Sequence, residues 1–165
     1  EKELELAEHY YSVLEKAYGT ESPEVLYAGH LLSIACDHSG LHKKQLEVRK
    51  KVHGLIGAIY GEDHMLYVAS LVELSKAYSN AGMYADGIEC AEEAYWASKK
   101  LNGDYHPETA TCLMVLAAQL GNLGDYERAL PQVKTEKMHL KREAIISLTK
   151  KKKCSARIIP TLSPR

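Results

Sequence analysis

The densest set of metal-capable side chains is His30, Cys36, His38 and His42, and the run Cys36-x-His38-x-x-x-His42 superficially resembles zinc spacing. Nucleophilic chemistry would fall to Cys90 or Cys112. Each would need a neighbouring base and a lowered pKa, and neither has a histidine four residues away. His64 and His106 stand just ahead of expected helix starts, where an imidazole can cap the backbone. Acid–base catalysis would need a partner carboxylate in a cleft, and the pattern indicates none. Every glycine stands alone, so no phosphate-cradling loop is present. Lys150–Lys153 with Arg157 fit a nuclear-import signal, a polyanion contact or a solvated tail. What any of these residues does depends on the elements that carry them.

The chain has 165 residues, the size of one domain or one continuous array, and 45% hydrophobic content supports a packed core. Phe is absent and Tyr supplies 11 residues, which suits surfaces that are half apolar and half wet. The net charge of −1 conceals a split. Residues 1–130 carry 11 basic and 20 acidic side chains, a net −9, while residues 131–165 carry 10 and 2, a net +8. An acidic body with a basic tail disfavours nucleic-acid binding by the body. Four cysteines (Cys36, Cys90, Cys112 and Cys154) form no C-x-x-C pair and no secretory leader is recognisable, so reduced thiols in a cytoplasmic setting are expected. The Lys150–Lys153 tail adds the nucleus as an alternative location. No apolar run approaches the roughly 18 residues of a membrane span. The chain opens on Glu1-Lys2-Glu3-Leu4 without an initiator Met, and is expected to be a piece of something longer.

Internal repetition organises the rest. Tyr18-Gly19-Thr20-Glu21-Ser22-Pro23-Glu24 recurs as Tyr60-Gly61-Glu62-Asp63-His64-Met65 and as Asn102-Gly103-Asp104-Tyr105-His106-Pro107-Glu108. Gly19, Gly61 and Gly103 are spaced by 42, and so are Gly40, Gly82 and Gly124. Pro23 and Pro107 suit a first helical position, and the glycines suit helix ends. First helices are predicted near 23–39, 65–81 and 107–123, and second helices near 43–59, 85–101 and 127–148. Leu71, Leu74 and Tyr78 fall on one helix face, and Leu113, Leu116 and Leu120 repeat that stripe 42 residues later. Tyr84, Ile88, Ala91, Ala94 and Tyr95 make the facing stripe. In this register Cys36 takes the core slot of Tyr78 and Leu120, and His42 that of Tyr84 and Tyr126, so packing explains both better than metal does. Cys90 and Cys112 fall on packed faces as inert thiols.

Gly103-Asp104-Tyr105-His106-Pro107-Glu108-Thr109-Ala110, Gly124-Asp125-Tyr126-Glu127-Arg128-Ala129 and Gly82-Met83-Tyr84-Ala85-Asp86-Gly87 resemble the repeat start and helix turn of 42-residue tetratricopeptide (TPR) repeats of the kinesin light chain type. The resemblance covers residues 18–130. It implies an all-α fold, a right-handed superhelical array of antiparallel helix pairs. The expected units are 1–17 (second helix of a preceding repeat), 18–59 (a degenerate repeat), 60–101, 102–148 (with a divergent last helix) and 149–165 (a basic disordered tail). Departures from the pattern include Gly29 against Leu71 and Leu113, Gln45 at a helix crossing, Met65 in a proline position, and Pro131 and Glu136 in the last second helix.

The family's groove-lining positions fall here on Tyr27, His30, Ile34, Asp37 and His38, then Ala69, Val72, Lys76, Ser79 and Asn80, then Thr111, Met114, Ala118, Gly121 and Asn122. Such repeats usually carry Asn where this chain has His30, Val72 and Met114, which changes the expected ligand preference. The resemblance implies a scaffold or adaptor binding a partner peptide or helix in the concave groove, with no catalysis and no cofactor or metal. The alternative is a TPR segment that positions substrate for a larger multidomain enzyme, such as a lysine methyltransferase.

Overall fold

The computed structural model describes residues 2–124, which form six α-helices and no strand. They are α1 (Lys2–Tyr18), α2 (Pro23–His38), α3 (His42–Tyr60), α4 (Met65–Asn80), α5 (Tyr84–Asn102) and α6 (Pro107–Leu123). Each end lies within one residue of the range read from the sequence. The expected helix at 127–148, its disturbance at Pro131, and the 149–165 tail with Cys154 lie outside the described residues.

The first helix of each pair starts on a side-chain cap. Ser22 Oγ accepts the Val25 N–H at 3.3 Å. His64 Nδ1 accepts the Leu66 N–H at 3.1 Å and His106 Nδ1 the Glu108 N–H at 3.2 Å. Both imidazoles therefore satisfy backbone donors that a helix start leaves unpaired. The turn into the second helix is one motif used twice. Gly40 donates to Asp37 O and Leu41 to Cys36 O; Gly82 donates to Ser79 O and Met83 to Tyr78 O. This is the Schellman pattern, which needs a left-handed residue, and Gly40 and Gly82 have φ of +70° and +77°. They stand one residue past the caps Ser39 and Ala81, at the ends of the first helices where the sequence places them. Leu41 and Met83 follow directly as starts of α3 and α5 without side-chain caps.

Each helix packs on its chain neighbours, as in a stacked array where a repeat touches only the next. Leu46, Leu74 and Ala77 close the α3–α4 junction, and Ile88, Ala91, Leu116 and Leu120 that of α5 and α6. Tyr67, Val68, Leu71, Ala94 and Cys112 join α4, α5 and α6. The predicted stripes are buried in large part: Leu71, Leu74, Leu113, Leu116, Leu120, Ile88, Ala91 and Ala94 are all core. Tyr84 is the correction. It is 37% exposed, because it is the first residue of α5 and lies at the rim rather than between helices.

The departures in the first repeat have structural reasons. Gly29 is buried in α2, and a Cβ there would lie 2.6 Å from Val52 Cγ2. One repeat on, the large residue is Leu71 and the small one Ala94, in one buried cluster. Bulk has changed sides while the space between first and second helix stays filled. Gly87 lets α5 approach α4, so that Ser75 Oγ donates to Gly87 O at 2.8 Å. Gln45 holds the same slot in α3, is buried, and accepts from Asn80 Nδ2 at 3.2 Å. Its partner position, Ser33 Oγ, has no protein hydrogen-bond partner.

Candidate functional site: the first-helix row and a cleft at its start

None of the fifteen expected groove residues is buried, and they lie on α2, α4 and α6. Tyr27 is 60% exposed and Met114 51%. Ala69, Ala118, Thr111 and Asn122 are also exposed, while Ile34, Val72 and Gly121 are half-buried. Several polar members are engaged within the fold. Asn80 Nδ2 donates to Asp37 Oδ1 at 2.9 Å, tying the ends of α4 and α2 together. His38 Nδ1 lies 3.2 Å from Glu3 Oε1, and Thr111 Oγ1 donates to Pro107 O. Ser79 Oγ donates to Gln119 Oε1 of α6. Gln119, 3% exposed, also donates from Nε2 to Ser75 O, so it clamps α6 against α4.

The row is not uniform. The backbones of α4 and α6 approach each other directly, whereas those of α2 and α4 do not. Between α2 and α4, with α3 as floor, lies a cleft of about 410 Å³. Its walls are predominantly apolar, including Pro23, Leu26, Tyr27, Val52, Ile56, Tyr60, Leu66 and Ala69. His30, Arg49 and Glu73 form its polar end. Arg49 is 7% exposed at its side chain; its Nη1 donates to His30 Nδ1 at 2.8 Å and its Nη2 lies 3.3 Å from Glu73 Oε2. Arg49 Nε is buried without a hydrogen-bond partner. Lys76 Nζ donates to the other Glu73 oxygen at 2.8 Å.

Guanidinium only donates, so His30 Nδ1 accepts and its proton sits on Nε2. Burial and then the charge of Arg49 hold the His30 pKa below the ordinary histidine value, which keeps the ring neutral. Burial works against ionised Glu73, but the Lys76 hydrogen bond and charge, with Arg49 and His30, outweigh it and hold its carboxyl below the usual range.

Arg49, Glu73 and the apolar walls on α3 were missed by the sequence reading, which took only first helices as groove. A signal was present in the 42-residue register. His30, Arg49 and Glu73 correspond to Val72, Ala91 and Val115, all three packed against apolar clusters. One junction replaces an apolar trio with a polar one, with Arg49 in the place of an alanine, at the junction where α2 and α4 stay apart.

Other candidate chemistries resolve into packing. His30, Cys36, His38 and His42 do not converge: Cys36 is fully buried, His38 faces Glu3 and His42 faces Asp37. No group of three or more His, Cys, Asp or Glu among the described residues is placed to hold a metal. Burial raises the thiol pKa of Cys36 and Cys112, and burial with nearby Glu93 pushes that of Cys90 up to about 11. His53 Nδ1 lies 2.8 Å from Ser70 Oγ, the geometry of a nucleophile and base. Ser70 already donates its only proton to Tyr67 O at 2.7 Å, so the imidazole is the donor, opposite to activation.

No protein-family model matches the sequence, and no curated protein matches it. Solved structures match its shape. A Podosopora anserina protein assigned to the kinesin light chains, built of nearly identical TPR-like repeats, aligns with TM-score 0.79 and 21% identity over 85% of this chain and 66% of its own. A form of that protein with a single substitution aligns with TM-score 0.80 and 21% identity, over 86% and 66%. BtubC (BKLC) from P. vanneervenii aligns with TM-score 0.73 and 14% identity, over 98% and 59%. The chain thus spans less than two thirds of the length of these structures. With six helices among the described residues, two complete pairs (α2–α3 and α4–α5) flanked by α1 and α6, it has the TPR-like repeat fold of kinesin light chain-type arrays.

Proposed function

We propose that this chain is a protein-interaction scaffold or adaptor, seating a peptide or helix of a partner protein along α2, α4 and α6. One apolar side chain of the partner enters the cleft between α2 and α4. The observation that carries this reading is the cleft itself, about 410 Å³ with predominantly apolar walls, open in a row of exposed and half-buried first-helix positions. An unfilled apolar recess on a rigid array is what an anchor side chain needs. The polar end, with its Nε2–H of His30, gives direction to what binds. The cytoplasm is the setting that goes with this role, since Cys36, Cys90 and Cys112 are free thiols.

Peptides selected from a displayed library on the full chain provide the test. Ala69→Trp, which fills the cleft from an exposed position, should weaken their binding at least about tenfold, roughly 1.4 kcal/mol, while circular dichroism stays unchanged. Lys76→Glu, farther along α4, should change affinity according to peptide charge. Selected peptides indifferent to both substitutions would remove the first-helix row as the binding surface.

A further inference from the structure

We propose that the anchor entering the cleft between α2 and α4 is proline, carried on an extended polyproline-II segment of the partner protein. The inference rests on the groove reading above and names the chemistry of its occupant.

The hydrogen-bonding inventory of the cleft is one-sided. His30 gives its Nδ1 lone pair to Arg49, which leaves Nε2–H as a donor. Arg49 lines the cleft with a side chain 7% exposed, and its Nε–H is buried with no partner. Tyr27 and Tyr60 line it as well, 60% and 38% exposed, with hydroxyls that make no hydrogen bond among the described residues. The acceptors, by contrast, are engaged. One Glu73 oxygen faces Arg49 and the other Lys76, and Ser70 Oγ takes the His53 proton. An occupant must therefore bring apolar surface and acceptors, and few donors.

That combination separates the backbone conformations. An α-helix hides its carbonyls in its own ladder, and a β-strand presents an N–H for every carbonyl. A polyproline-II segment has no internal hydrogen bonds, so its carbonyls stay free, and each proline lacks the N–H. Its rings suit the walls formed by Tyr27, Tyr60, Leu26 and Ile56, since such segments dock on aromatic-lined grooves. The next junction of the array has a different inventory. Val72, Ala91 and Val115 hold the places of His30, Arg49 and Glu73, so the preference belongs to the α2–α4 cleft.

The probe is an amidated, fluorescein-labelled peptide of three Leu-Pro-Pro units, titrated into the full chain and followed by anisotropy. Replacing its prolines by alanine should weaken binding at least about tenfold. Tyr27→Ala, at an exposed position, and His30→Phe should do the same with circular dichroism unchanged, and Ala69→Trp should block the peptide. The repeating units carry no charge, so affinity should hold as salt is raised. Equal affinity for the proline and alanine peptides, both blocked by Ala69→Trp, would overturn the proline assignment and leave the groove reading standing. No binding of the proline peptide by a chain that binds its library-selected peptides would do the same. Peptide binding indifferent to Ala69→Trp would sink both. Tighter binding of the proline peptide by a Pro160→Ala, Pro164→Ala variant would assign the cleft to this chain's own tail and overturn its assignment to a partner.

Discussion

Gly29→Ala should destabilise the protein in its native background and stabilise it once Val52 is trimmed. The new Cβ would sit 2.6 Å from Val52 Cγ2, with the Tyr11 ring at 3.5 Å on its other side, so neither helix offers room. Overpacking of this kind costs roughly 1–3 kcal/mol. Against it stands the helical preference of alanine over glycine, about 1 kcal/mol in a helix interior. The net expected loss is up to about 2 kcal/mol, or up to about 4–8 °C in melting midpoint for a chain of this size. Val52→Ala alone removes two buried methyls and should cost about 2 kcal/mol. It also removes the obstructing atom, so adding Gly29→Ala in that background should gain up to about 1 kcal/mol through helix preference. The coupling in the double-mutant cycle is then about 1–3 kcal/mol, the overpacking relieved, read by urea denaturation followed in the far ultraviolet. A Gly29→Ala effect of the same sign and size in both backgrounds would refute the exchange of bulk between α2 and α3.

Three further expectations follow from named contacts. Leu74→Ala empties a site 5% exposed between α3 and α4 and should cost roughly 2–5 kcal/mol, while Lys76→Ala, on the open side of the same helix, should leave the thermal melt nearly unchanged. Arg49→Leu replaces a buried cation in a slot that holds Ala91 one repeat later and should be close to neutral in chemical denaturation, whereas Glu73→Gln strands Arg49 and should be the more damaging change by about 2 kcal/mol. His30 and His53 both have pKa values lowered chiefly by burial, so the folded state prefers them neutral. Their stabilisation is complete above the unfolded value of 6.5 and is lost as pH falls through the folded values. Melting midpoints should therefore drop between about pH 7 and about pH 5, and His30→Gln should flatten part of that slope.

The helices, their ends and the stacking register were legible in the sequence because they depend on local rules. Pro23 and Pro107 open helices, His64 and His106 reach backbone donors two residues on, and Gly40 and Gly82 take the left-handed conformation that other residues resist. Repetition at 42 residues multiplied each of these weak signals, and the Leu71 and Leu113 stripes separated inside from outside. Tertiary structure alone decided how open each junction is. Arg49 belongs to a second helix, and only the packing of α3 beneath α2 and α4 turns it toward His30 and Glu73. The Gln119 clamp between α4 and α6, and the trade of Gly29 and Val52 for Leu71 and Ala94, are likewise relations between residues far apart in the chain. Periodicity assigns a residue to a face of its own helix; the distance between two helices is set by the combined volume and hydrogen bonds of both.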